Sequence, residues 1–188
     1  MTPTKTAMKR LILTIAIVLL ATLVITGQAT AQEAKYKKIQ GDVDEAIEAF
    51  KKADPGLEQR FKSAAGYAVF PNVGKGGLVF GGAHGLGYVY EDGKLIGYAS
   101  LTQVTFGAQI GGQEFSQVVF FEDKAALDKF RQSQFTMNAQ VGAVAAAEGA
   151  SKNAKYVQGV MVFTRAKQGL MAEASVGGQK FKFMPAGK

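Results

Sequence analysis

The sequence predicts an α+β domain in which a mainly antiparallel sheet, meander- or barrel-like, is packed by N-terminal amphipathic helices and by one central helix. Three observations predict it. Of residues 66–112, 13 are glycine, about four times the usual share, yet Val69, Phe70, Val73, Leu78, Val79, Phe80, Tyr88, Val89 and Tyr90 fill the gaps. A flexible linker has no such residues to bury, so Gly66–Asp123 reads as hairpins. Ahead of it, Val43, Ala46, Ile47 and Phe50 fall at i, i+3, i+4 and i+7 among charged residues, the stripe of an amphipathic helix. After it, Ala126, Leu127 and Phe130 mark one more helix before alternating, strand-like residues resume.

The first 31 residues stand apart from this domain. Lys5, Lys9 and Arg10 precede the apolar run Leu11–Ile25, and Ala29-Thr30-Ala31 has the small-x-small form of a signal peptidase site. Residues 1–31 are therefore expected to be a secretory signal peptide. An uncleaved anchor is the other reading, but a span of about 15 apolar residues is short of the roughly 20 needed. Export would put the protein in the periplasm or outside the cell, with a peripheral place on a membrane as one option there. A short segment, 32–41, then leads into a single domain, 42–188. The chain has no cysteine, which excludes disulfides, thiolate metal ligands and thiol nucleophiles. Beyond residue 31 there are 19 basic and 15 acidic residues, a net charge of +4 rather than the +7 of the whole chain. That excess favours anionic surfaces weakly.

The leader, residues 32–65, reads as two helices. Asp42 is a candidate N-cap with Glu45 as its capping-box partner, and Asp54-Pro55 restarts the helix with Asp54 as N-cap. Leu57, Phe61 and Ala64 form the second stripe. Each stripe has two readings. It packs on the sheet of its own domain, or Phe50 and Phe61 enter a membrane while Lys51, Lys52, Arg60 and Lys62 meet headgroups. The acidic Asp44, Glu45, Glu48 and Glu58 make the polar faces mixed.

Gly66–Val73 follows as a strand, which Pro71 suggests is an edge strand or ends there. Gly74-Lys75-Gly76-Gly77 reads as a loop. The runs 77–90 and 94–101 flank Asp92-Gly93, a strong hairpin signal. Val104, Phe106, Ala108 and Ile110 alternate up to Gly111-Gly112, and Phe115–Phe121 is a further strand, all neighbours in a meander. Asp123 caps a helix to about Ser133. Phe135, Met137, Ala139 and Val141 alternate as another strand, and residues 143–150, ambiguous between helix and strand, are read as its extension. Tyr156–Thr164 is a strand, a turn falls at Lys167-Gln168-Gly169, and residues 170–176 and 180–184 form a last pair.

The residues leave little room for catalysis. His84 is the only histidine, so a two-histidine metal site is impossible and a Ser-His-Asp triad would depend on it alone. In Gly82-Ala83-His84-Gly85 it reads as an exposed or hydrogen-bonded residue. Neither Gly-x-Ser-x-Gly nor His-Glu-x-x-His occurs. Gly74-Lys75 fails as a phosphate loop, because Gly76 stands where Ser or Thr is needed and Val69 where the first glycine is needed. No Gly-x-Gly-x-x-Gly is present, and no basic stripe is interleaved with stacking aromatics, so no nucleic-acid partner is expected. The expectation is a protein without enzymatic activity, metal or cofactor. Lys75 on a glycine-rich turn remains a candidate contact for one anionic headgroup, or is an ordinary exposed lysine.

Several ordered motifs carry a resemblance. Ala64-Ala65-Gly66-Tyr67-Ala68-Val69-Phe70-Pro71, Lys75-Gly76-Gly77, Gly81-Gly82-Ala83-His84-Gly85, the run 105–113 (TFGAQIGGQ) and the run 121–127 (FEDKAAL) together resemble the SYLF domain family, from about residue 42 to residue 184. The resemblance implies a lipid-binding module. Eukaryotic members bind phosphoinositides and, in yeast, actin filaments, and some reach the membrane through an amphipathic N-terminal helix. By that resemblance the leader would take the same part, with Phe50, Lys51, Lys52, Leu57, Arg60, Phe61, Lys62 and Lys75 as lipid-contacting residues. The signal peptide departs from the eukaryotic pattern, so an anionic phospholipid surface is the expected partner and actin is not. The alternative is a cell-envelope interaction protein that recruits a partner, of unknown identity, through a sheet edge.

Overall fold

The computed structural model describes residues 34–76, 80–106, 113–133, 135–137, 140–168 and 178–186. The expected signal peptide, the stretches 77–79 and 107–112 and the expected strand at 170–176 lie outside the described residues. The chain divides into two compact units, Met1–Lys38 and Ile39–Lys188. Of the first, residues 34–37 are helical. The second is mixed α+β. In chain order it runs α1 (Gln40–Ala53), α2 (Gly56–Ser63), β1 (Gly66–Gly76), β2 (Phe80–Glu91), β3 (Lys94–Phe106), β4 (Gln113–Phe121), α3 (Lys124–Arg131), β5 (Ala143–Ala145), α4 (Ala150–Asn153), β6 (Val160–Gln168) and β7 (Lys180–Pro185).

The seven strands form one sheet in the order β5-β6-β4-β1-β2-β3-β7. All neighbours are antiparallel except β5 and β6. The sheet is not closed, so the barrel-like expectation becomes an open sheet. The meander holds only for β1-β2-β3. β4 returns to the opposite side of β1, which makes β1 central instead of an edge strand. Pro71 is tolerated there because the register shifts around it against both neighbours, a bulge where its missing N-H breaks no ladder. The Ser116 hydroxyl donates to the Pro71 carbonyl at 2.9 Å.

The β2-β3 hairpin turns where the sequence places it. Asp92 and Gly93 both have positive φ, 51° and 73°, the conformation that suits the twist of the flanking strands. A second turn of this kind was not expected. Gln158 and Gly159, with φ of 56° and 77°, split the β-prone run 156–164, so β6 starts at Val160. The expected strand over 143–150 shrinks to Ala143–Ala145, and the chain turns helical at Ala150. Phe135, Met137 and Val141 are buried as their alternation predicts and Ala139 lies outside the described residues, but instead of a strand Thr136 makes an isolated bridge to Lys180. That bridge has a structural use. With the Phe181 N-H bonded to the Phe135 carbonyl and the Phe183 N-H to Ser133 Oγ, it covers the outer edge of β7.

Each face of the sheet is packed differently. One buries Ala68, Phe70, Val89, Leu101, Val119, Phe121 and Phe181 beneath Leu127 and Phe130 of α3. Asp123 caps α3, accepting from the Ala126 N-H at 2.8 Å. The opposite face, bearing Tyr67, Val69, Val118, Phe120 and Phe163, receives α1 and α2, whose Val43, Ala46, Phe50 and Leu57 are buried.

Candidate lipid-contacting surface

The corner between α1 and α2 carries most of the expected contact residues. The structure starts α1 at Gln40, so Asp42 is not its N-cap but lies in its first turn, accepting from Asn72 Nδ2 at 3.0 Å. Asp54 ends α1 and is only 1 % exposed. Its carboxylate still serves the start of α2, taking the Gly56 N-H at 3.0 Å, and it also takes the Ser151 N-H at 2.6 Å and the Gly149 N-H at 3.4 Å. Burial acts to raise the Asp54 pKa, but the hydrogen bonds from Ser151, Gly56 and Gly149 outweigh it and hold the carboxyl below its ordinary value. One carboxylate thus ties the helical corner to α4. The sequence expects Asp54 as N-cap with Pro55 first in the helix, but the structure puts Pro55 at the N-cap and Gly56 first in α2; the partners of Asp54 more than 90 residues away have no local signal.

The stripe residues divide. Phe50 and Leu57 are fully buried and belong to the domain's own core. In this structure they are not available to acyl chains. Phe61 is half-buried, edge-on to Tyr67 at 5.0 Å and to Phe120 at 4.9 Å, with Lys51 Nζ 5.8 Å from its ring centre. Tyr67 stacks on Tyr90 at 4.9 Å, and burial raises the pKa of both phenols, so both stay protonated.

The cations around Phe61 are mostly engaged. Lys51 pairs with Glu48 at 2.8 Å and Lys62 with Glu58 at 2.7 Å, while Arg60 donates to the Ser151 carbonyl at 3.2 Å. The hydrogen bond from Lys62 lowers the Glu58 pKa, with the lysine charge adding to it. Lys52 is exposed and has no ion-pair partner among the described residues. Lys75 is not in a loop. It lies in β1, opposite Ala83 on one side and Gln113 on the other, away from this corner in the chain, and its side chain is outside the described residues. His84 is exposed on β2. Among the described residues no cluster of His, Asp or Glu could hold a metal ion, and no helix is long and apolar enough to cross a membrane.

An open, mostly antiparallel sheet, covered by one helix on one face and by a helical pair on part of the other, is the class of structure that carries this corner. Residues 102–184 match the family model Ysc84, described as Las17-binding protein actin regulator. The chain is also 32 % identical, over 154 residues, to Beta cell expansion factor A of Aeromonas veronii, an alignment covering 81 % of this chain and 58 % of that protein. It therefore spans less than two thirds of that relative's length. Residues 102–184 belong to the Ysc84, or SYLF, family. That membership supports a domain of the lipid-binding type.

Proposed function

We propose that the domain binds anionic phospholipid at a membrane surface without performing chemistry on it. The observation that carries the reading is the helical corner, where the half-buried Phe61 has Lys51 Nζ 5.8 Å from its ring centre and Lys52, Arg60 and Lys62 lie on the same two helices. Such a ring beside basic side chains suits the headgroup boundary, where aromatic bodies enter and lysines stay with phosphates. Export by the segment 1–31 belongs to the same proposal and would put the bound surface outside the cytoplasm, facing the periplasm or the exterior. The actin-directed role in the family's description does not fit that location. Recruitment through a sheet edge has less to build on, since Ser133, Phe135 and Thr136 cover the β7 edge and β5 is only three residues long.

Co-sedimentation with vesicles tests the reading. Vesicles of phosphatidylcholine containing phosphatidylglycerol should bind residues 32–188, pure phosphatidylcholine should not, and rising salt should weaken the complex. Absence of binding to the anionic vesicles at low salt would overturn it.

A further inference from the structure

The face of the sheet that receives α1 and α2 continues beyond them onto β2, β3 and β7, and the strand register arranges this continuation in rows. Tyr88, Tyr98 and Met184 form one row, Leu86, Ser100 and Lys182 the next, and His84, Thr102 and Lys180 the third. Residues that alternate with them, Ala83, Val89, Ala99, Leu101 and Phe181, are buried in the core on the other face, which fixes the direction of the rows. The first row is largely closed, with Tyr88 and Tyr98 buried. In the other two, His84, Thr102, Lys180 and Lys182 are exposed and Leu86 and Ser100 partly so.

We infer that these two open rows are the surface on which the domain holds the phosphates of an anionic phospholipid membrane. The inference rests on the proposed phospholipid-binding function and names a second part of its surface. Charge complementarity commits it to an anionic occupant. Lys180 and Lys182 have no ion-pair partner among the described residues, and neither β3 nor β7 contains an aspartate or glutamate. Asp44 of α1 acts on Tyr88, in the closed row. Each lysine has a hydroxyl beside it on the neighbouring strand, Ser100 by Lys182 and Thr102 by Lys180. Roots about 5 Å apart let an ammonium and a hydroxyl donate to one phosphate, and the His84 imidazole adds a further N-H. Leu86 and Met184, each partly exposed, give the rows apolar contact of the kind a lipid boundary offers. The lysine strand is held on both sides, by β3 and by Ser133, Phe135 and Thr136, so the donors start from a fixed frame.

The test compares residues 32–188 with two double variants of equal charge, Lys180→Gln/Lys182→Gln and Lys94→Gln/Lys129→Gln, on phosphatidylcholine vesicles with and without phosphatidylglycerol. All four of these lysines are exposed, and circular dichroism confirms that each variant is folded. The first variant should lose roughly 25-fold in affinity for the anionic vesicles, about fivefold per lysine, while the second retains most of it. Equal loss in both, or no loss in the first, overturns this inference and leaves phospholipid binding standing. Failure of the unmodified protein to bind overturns the underlying reading as well. Binding of soluble glycerol phosphate without vesicle binding would assign the rows to a small phosphoester and overturn their assignment to a membrane.

Discussion

The helix-covered half and the open half of one sheet face differ in how they hold their cations: on the helices only Lys52, of the four expected contact cations, has no partner among the described residues. Under α1 and α2 the apolar stripe is already buried, Lys51 and Lys62 are paired within their own helices, and Arg60 is bonded to a carbonyl. On β7, Lys180 and Lys182 stand beside the hydroxyls of Thr102 and Ser100, and neither β3 nor β7 contains a carboxylate. The helical pattern is conspicuous because it builds the fold, and what builds the fold is not free to bind. A strand pattern such as Lys-Phe-Lys-Phe at 180–183 is less conspicuous, yet it separates core from surface cleanly: Phe181 goes in, and Lys180 and Lys182 go out.

The strongest way to break this comparison is Phe50→Ala. A fully buried phenylalanine should cost about 3–5 kcal/mol of stability in chemical denaturation. If the variant keeps its midpoint and instead loses vesicle binding, the residue is a lipid anchor and the covered half is not a core. Next comes Asp54→Ala, which leaves three backbone N-H groups without their acceptor and should cost about 2–3 kcal/mol. Its pH dependence has a definite sign. Because the folded carboxyl lies below its unfolded value of about 3.9, its contribution is complete above that pH and is lost as pH falls through the folded pKa. Denaturation midpoints should therefore fall more steeply below about pH 4 in the unmodified protein than in Asp54→Asn.

Much of this architecture is legible in the residues themselves. The stripe of Val43, Ala46 and Phe50, the Asp92-Gly93 turn and the Asp123 cap each come from a local rule that the fold obeys. The rows on the open face do not. An unbroken hairpin from Glu91 and Lys94 would set Tyr88 opposite Gly97, but a register shift between Val89 and Tyr90 sets it opposite Tyr98, and His84 consequently opposite Thr102. A bulge of one residue has little local signature, and every pairing beyond it moves. The same holds for β1, where Pro71 read as an edge marker until the bulge made room for it. Asp54 shows the remaining limit: its bond to the Gly56 N-H is local, whereas its bonds to Gly149 and Ser151 depend on the whole chain.

Phe61 lies between the two halves in character and gives the third, smaller effect. Its ring shares edges with Tyr67 and Phe120 but is only half-buried, so Phe61→Ala should cost about 1–2 kcal/mol. Unlike Phe50→Ala, it should also weaken binding to anionic vesicles at a temperature where the variant is folded. A stability loss with unchanged binding would move Phe61 to the core side and leave the open rows as the main contact.

The smallest effect is the most direct probe of why the two halves differ. If Lys62 contributes little to a membrane because Glu58 already neutralises it, Glu58→Gln should release it. The pair is exposed and one turn apart, so its loss should leave the denaturation midpoint unchanged within error. Binding to phosphatidylglycerol vesicles should nevertheless tighten slightly, and more at low salt than at high, since an unpaired surface charge is screened in full. The gain should disappear in Glu58→Gln/Lys62→Gln, which removes the released charge along with its partner. Should Glu58→Gln leave affinity unchanged at low salt, the pairing is not what silences this helix. The difference between the halves would then lie in orientation, with the lysine strand of β7 facing the bilayer and the outer side of α2 turned away from it.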